Sequence, residues 1–171
     1  MLRIYFGKSA SGKDYLTKQD VAKGWRNFVT CTTRPPRPGE VDGVDYWFLS
    51  EKEFLKRVET GDIFEYRKHS TTEGEWFYGS CSQKVSQADY VGVLDINGVL
   101  AAIEHFGAEN VEAVFVEAPE NVRRSRYVSR DSKAKLEELE RRFAQDEIDF
   151  SPSEVERVRN ALGKNFRVVK N

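Results

Sequence analysis

The chain reads as an α/β fold: a mostly parallel central sheet with helices packed on it and a small antiparallel insertion midway. Three observations predict this. Strand–helix units alternate at both ends of the 171-residue chain. The short, uniformly apolar runs Tyr90–Asp95 and Val111–Val116 have the character of parallel strands buried on both faces. Between Tyr46 and Ser80, strand-like runs follow one another at short range, as antiparallel neighbours do. A hydrophobic content of 39% over this length suits one sizeable core, so residues 1–171 are expected to form a single domain.

In order, Leu2–Phe6 is the first strand, and Gly7 to Asp14 is a glycine-bounded loop leading into a helix from Lys13 to Lys23, with Tyr15, Leu16, Gln19 and Ala22 on one face. Gly24 ends that helix, because glycine tolerates positive φ. Phe28–Thr32 predicts a second strand. Thr33–Asp45 carries several prolines and turn glycines and predicts an ordered, irregular loop. Tyr46–Leu49 resumes as strand. Ser50-Glu51-Lys52-Glu53 is a capping box that starts a helix with Phe54, Leu55 and Val58 on one face, ended by Gly61.

Ile63–His69 predicts a strand, Ser70–Glu75 a polar turn, and Trp76–Gly79 a further strand. After Tyr90–Asp95 comes a helix over Asn97–Phe106. Val111–Val116 repeats the type, followed by Pro119 and another helix. Lys133–Phe150 is helical, with Leu136, Leu139 and Phe143 in phase. Ser151-Pro152-Ser153-Glu154 restarts the chain with a cap, a first-turn proline and a capping-box glutamate. Gly163 closes that helix, and Phe166–Val169 is the last strand.

Composition narrows the function classes. A net charge of −1 gives no overall electrostatic footprint for DNA or RNA, so any polyanion must meet a local cluster. The two cysteines, Cys31 and Cys81, have no CxxC spacing and no histidine at metal-ligand intervals, and are read as reduced, small packing residues. No signal-like N-terminus and no membrane-length apolar run is visible. The expectation is a cytoplasmic protein with no membrane and no nucleic-acid partner.

Gly7-Lys8-Ser9-Ala10-Ser11-Gly12-Lys13-Asp14, set between a strand and a helix, has the layout of a P-loop, in which backbone N–H groups at a helix N-terminus surround a phosphate. A plain glycine-rich βα turn is the simpler alternative. Asp14 stands where a P-loop normally has Ser or Thr for Mg²⁺. A second anion site is suggested by Arg34 and Arg37, two planar donor forks on a proline-stiffened loop; pairing with Glu40 and Asp42 is the competing reading.

The run from Thr32 to Phe48, with its Arg34-Pro35-Pro36-Arg37-Pro38-Gly39 core, closely resembles the nucleotide-monophosphate loop of guanylate kinases. Phe64-Glu65, Tyr78-Gly79-Ser80, Leu94-Asp95-Ile96-Asn97-Gly98 and Arg126-x-x-x-Arg130 follow in that family's order, so the resemblance covers nearly the whole chain. It implies a P-loop NTPase three-layer fold with a core of residues 1–30, 81–118 and 146–171, a GMP-binding lobe over 31–80 and a helical lid over 119–145. The implied activity is transfer of the γ-phosphoryl of ATP to GMP with Mg²⁺, by a monomer or homodimer.

Position by position, the resemblance implies that Gly7 to Asp14 bind ATP, with Lys13 on its β- and γ-phosphates. Arg34, Arg37, Tyr46 and Tyr78 would hold the GMP phosphate, and Glu65, Ser80, Thr30 and Asn97 would meet guanine, Asn97 replacing a second acidic residue. Asp14 and Asp95 would serve the metal. Lys13, Arg34 and the lid arginines Arg126, Arg130 and Arg142 would neutralise the transferring group. Bland readings exist for several: Asp95 can simply cap a helix, Glu65 can pair with Arg67 or Lys68, Tyr46 and Tyr78 can pack, and Glu138 with Arg142 has ordinary i,i+4 ion-pair spacing. Asp14 leaves two rivals open: a guanylate-kinase-like binding module with weak or no activity, and a related kinase acting on another small phosphate.

Overall fold

A computed structural model describes residues 1–71, 74–83, 85, 87–130 and 136–171. Its first half runs β1 (Leu2–Phe6), α1 (Lys13–Ala22), β2 (Arg26–Asn27), β3 (Cys31–Thr32), β4 (Trp47–Phe48), α2 (Glu51–Glu59), β5 (Ile63–Thr71) and β6 (Gly74–Cys81). The second half continues with β7 (Tyr90–Val93), α3 (Ile96–Phe106), β8 (Val111–Glu117), α4 (Glu120–Arg130), α5 (Leu136–Asp149), α6 (Pro152–Leu162) and β9 (Phe166–Lys170).

The central sheet has the order β2-β7-β1-β8-β9, and its pairings are all parallel. Alternation along β1 explains the layers. Leu2, Ile4 and Phe6 face one way with Val111 and Ala113 of β8, buried against Ile96, Val99 and Ala102 of α3 and Val155, Val158 and Leu162 of α6. On the opposite face, Tyr5, Val91, Val114 and Val116 pack with Leu16 of α1 and Trp25. The expected α/β architecture of three layers is therefore present.

A second sheet, ordered β4-β3-β6-β5, is the small antiparallel insertion. Its long hairpin pairs Glu65 with Ser80 and Arg67 with Tyr78. The two-residue β4 joins parallel to β3, an exception within an otherwise antiparallel sheet. Phe54 of α2 is fully buried beneath it with Cys31, Ile63 and Cys81.

Several expectations need correction. Phe28–Thr32 is not one strand: β2 ends at Asn27 in the central sheet and β3 starts at Cys31 in the small one, because Phe28 turns into the core edge-on to Phe106 while the chain changes sheets. The strands of the hairpin run to Thr71 and from Gly74, well into the expected Ser70–Glu75 turn; residues 72 and 73 lie outside those described. The buried residue of α1 is Asp20, and Tyr15 is exposed. Asp20 accepts from Tyr5 at 2.7 Å and Arg3 at 2.8 Å, and Arg3 also bonds Glu112, so a polar network joins Leu16 in seating α1 on the sheet. Burial, then the bond to Asp20, pushes the Tyr5 phenol up to about 12.

The Ser50–Glu53 capping box forms as expected. Ser151 caps α6 by backbone geometry with Pro152 at its start, but no side-chain bond closes a box, since Glu154 turns to Arg157. The long helix over Lys133–Phe150 is described from Leu136 to Asp149; residues 131–135 lie outside. Cys31 and Cys81 are not separate packing thiols. They meet as a disulfide with Cα atoms 6.5 Å apart, because β3 and β6 pair and carry them to one buried point.

Candidate functional site

The loop after β1 is shaped by two glycines. Gly7 has φ 139°, and a Cβ there would lie 2.6 Å from the Val116 carbonyl oxygen; Gly12, at φ 101°, would clash with Asn171 at 1.9 Å. Backbone contact at Gly7 and positive φ at both positions favour glycine; the Asn171 side chain could move away from Gly12. Gly12 then serves as N-cap of α1 without a side-chain acceptor, leaving first-turn N–H groups to meet an anion. Lys13 lies back along the loop, its Nζ donating to the carbonyls of Gly7 at 2.7 Å and Lys8 at 2.9 Å. Asp14 is exposed in the first turn.

Side chains from α4 and α5 hold this loop from outside. Asp146 accepts from the Ser9 N–H at 2.7 Å and its hydroxyl at 3.0 Å, Lys8 pairs with Glu147 at 2.6 Å, and the Ser11 carbonyl accepts from Arg126 at 3.3 Å and Asn171 at 2.9 Å. Arg123, only 3% exposed, reaches the Ser9 carbonyl at 3.4 Å and Asp146 at 3.3 Å while lying over Phe143. Arg123 and Asp146, which brace the glycine loop, were not anticipated from the sequence. The sequence carries a signal only for Asp146, which lies three residues after Phe143 on the buried face of α5.

The second feature is a cavity of about 150 Å³ between the hairpin and the C-terminal end of β7. Thr30, Tyr46, Glu65, Tyr78, Ser80 and Asp95 line it, so six of the expected residues converge. Ser80 Oγ donates to Glu65 Oε2 at 3.1 Å. Burial foremost, with the Asp95 charge adding to it, pushes the Glu65 carboxyl above its usual value despite that bond and nearby Arg67. Arg67 and His69 share the wall and were not anticipated as site residues; strand alternation from Glu65 points to both.

Arg34 stands beside this cavity, 6% exposed, and donates from Nε to the Tyr78 hydroxyl at 3.2 Å. Its other nitrogens form a two-point pair with Glu40, both bonds 2.9 Å, so the carboxylate alternative weighed for this loop is what Arg34 adopts here. Arg34 in turn holds the Glu40 carboxyl below its usual range. Arg37 is exposed, and only its backbone N–H meets Glu40. Asn97 is exposed on the first turn of α3 and does not line the cavity.

Asp95 caps α3, accepting from Gly98 N at 2.9 Å, and also accepts from Arg67 Nη2 at 2.7 Å inside the cavity. Glu65 therefore does not pair with Arg67, and Lys68 instead meets Glu75. Arg126 reaches the glycine loop, whereas Arg142 is exposed and bonds Glu138 at 2.7 Å, its bland reading. With Arg141 it holds the Glu138 carboxyl down to about 2. The side chain of Arg130 lies outside what is described. Among the described residues no cluster of three acidic, His or Cys side chains could hold a metal ion by itself, and no helix is long and apolar enough to cross a membrane.

The family model described as guanylate kinase matches residues 3–162. The chain belongs to the guanylate kinase family. It is 36% identical over 124 residues to the guanylate kinase of Symbiobacterium thermophilum, a match covering 70% of this chain and 57% of that protein. To that of Chlamydia felis it is 30% identical over 162 residues, covering 90% and 69%. The matched region thus spans a little over half to about two thirds of these relatives' lengths. The crystal structure of guanylate kinase from Anaplasma phagocytophilum aligns with 100% of this chain and 76% of that one, at TM-score 0.61 and 22% identity, which shows a shared fold.

Proposed function

We propose that the chain transfers the γ-phosphoryl of ATP to GMP, giving ADP and GDP. One observation carries this reading. β1 and β7 are parallel neighbours with Tyr5 level with Val93, so the glycine loop and the cavity wall Val93–Asp95 leave the sheet side by side. Adjacent strands lie roughly 5 Å apart, and the crevice beyond the carboxyl ends of such strands is where open α/β sheets take ligands. A glycine loop and a cavity wall one strand apart suit a reaction between two bound nucleotides.

The N–H groups of the glycine loop and α1 would cradle the donor phosphates, with Lys13 moving from its carbonyl contacts onto them. An open groove of about 1070 Å³, reached past Lys8 and bounded by Pro119, Arg123 and Asn171, leaves room for the donor's base. Glu65 would accept from guanine N1–H and the 2-amino group, while Ser80 and Thr30 supply hydroxyls. Adenine lacks N1–H and would leave the carboxylate short of a partner, at about 1–3 kcal/mol. Arg34 would exchange Glu40 for the acceptor phosphate, alongside Arg37, Tyr46 and Tyr78.

Catalysis then comes from alignment and charge neutralisation, without a covalent enzyme intermediate. Arg126 is already at the glycine loop, and Arg130 and Arg142 would join it as lobe 31–80 and lid 119–145 close and exclude water. Mg²⁺ prefers oxygen ligands and commonly takes one carboxylate together with phosphate oxygens and water, which the exposed carboxylate of Asp14 fits. When bound it neutralises phosphate charge. Asp95, just beyond the end of β7, would supply a second carboxylate for the metal.

Asp14 also favours a second reading, a binding module of low turnover, because it sets a negative charge against a triphosphate. An ADP-release assay with GMP, dGMP, AMP, dTMP and UMP in parallel, with Lys13→Ala as control, separates these readings. Turnover confined to guanine nucleotides and lost in the control supports the kinase; tight GMP binding without turnover supports the module; preference for another acceptor supports a kinase for a different small phosphate.

A further inference from the structure

Arg67 and Asp95 form an ion pair inside the cavity, with no assigned role in the reading above. Arg67 projects from β5 and Asp95 from the α3 cap, so the 2.7 Å contact bridges the two walls. Register fixes where along the cavity the guanidinium sits. Glu65 is opposite Ser80, at the end assigned to the base, whereas Arg67 is opposite Tyr78, whose hydroxyl meets Arg34 at 3.2 Å. Residues directly opposite in an antiparallel pair have Cβ atoms about 5 Å apart. The Arg67 side chain is longer than that gap and lies on the same wall as Tyr78.

We propose that Arg67 is a further acceptor-phosphate ligand, held by Asp95 while the cavity is empty and transferred to the phosphate when a nucleoside monophosphate enters. The assignment rests on the acceptor reading of this cavity. A phosphate monoester carries up to twice the charge of a carboxylate and offers three acceptor oxygens to the guanidinium fork, so the exchange favours phosphate. The Arg34–Glu40 pair has the same form: both cavity-side guanidiniums are neutralised by a carboxylate of this chain until an anion replaces it. The exchange also opens space, since the bridged cavity of about 150 Å³ is smaller than the ~300 Å³ at which small-molecule sites begin.

Calorimetric titration of the whole chain with GMP and with guanosine, which lacks the phosphate, tests this. Arg67→Ala is expected to weaken GMP about 10- to 100-fold and leave guanosine unchanged; unchanged guanosine binding also reports an intact pocket. Asp95→Asn, which retains a capping side chain, should tighten GMP several-fold. In the Asp95→Asn background the Arg67→Ala loss should persist, which separates direct contact from repulsion by an unmasked Asp95. Equal loss for GMP and guanosine, no loss for either, or disappearance of the loss in that background overturns the assignment. Wild-type protein that binds neither compound overturns the acceptor reading itself, and the assignment with it.

Discussion

Ser80 donates to Glu65 across the β5–β6 pair at 3.1 Å, holding a half-buried carboxylate toward the cavity that Thr30, Tyr46 and Asp95 complete. Burial raises the Glu65 carboxyl above its usual value near 4.5, so the folded chain holds this proton more tightly than the unfolded one. Stability contributed by the group is greatest at low pH and declines as pH rises from 4.5 through the raised value. Guanine recognition runs the other way, because it needs the ionised form. GMP affinity should therefore fall, as pH is lowered, earlier than an ordinary carboxylate would dictate. Glu65→Gln should lower kcat/KM for GMP about 10- to 100-fold without lowering the neutral-pH melting temperature. Steady-state rates and thermal melts across pH check both.

At the donor loop, Asp14 faces the expected triphosphate. Two unit charges ~4–5 Å apart at an effective dielectric of ~20 repel by roughly 3–4 kcal/mol, before screening by metal and Lys13. Asp14→Ser should lower KM for ATP by tenfold or more and raise turnover. A KM unchanged over a range of Mg²⁺ concentrations would show that the position is indifferent.

Asp146 ties α5 to the loop through Ser9 and is the nearest counter-charge to Arg123, itself 3% exposed. Asp146→Ala leaves that buried cation only the more distant Glu147, at 3.7 Å, and should cost about 3 kcal/mol in denaturant unfolding. Adding Arg123→Met should restore much of it, since the uncompensated charge then disappears. A double variant as unstable as the single one would place the cost in the lost Ser9 bonds instead.

The Cys31–Cys81 bond spans 50 residues and closes the small sheet where the chain enters and leaves it. Chain-entropy reasoning assigns a loop of that size about 4 kcal/mol. Reductant should lower the melting temperature by roughly 8–16 °C in wild type and not in Cys31→Ser/Cys81→Ser. Equal melts with and without reductant in wild type would contradict this.

What the sequence made legible follows local rules. Apolar runs gave the parallel strands, and the Ser50–Glu53 box and the turn glycines gave the helix limits. The arginine-proline stretch pointed to the family. What it hid depends on partners distant in sequence: Asp20 buried under Arg3 and Tyr5, Asp146 spent on Ser9, Cys31 meeting Cys81, and Arg67 reaching Asp95. For Arg142 the local i,i+4 rule already describes the bond to Glu138.

The central claim is that the glycine loop and the Glu65 cavity open onto one cleft. Inhibition by a single compound carrying adenosine and guanosine at opposite ends of a five-phosphate chain tests it most directly. The account predicts inhibition competitive with both ATP and GMP, and affinity at least a hundredfold above that of either nucleotide. Competition with only one substrate, at the affinity of that half alone, would contradict it.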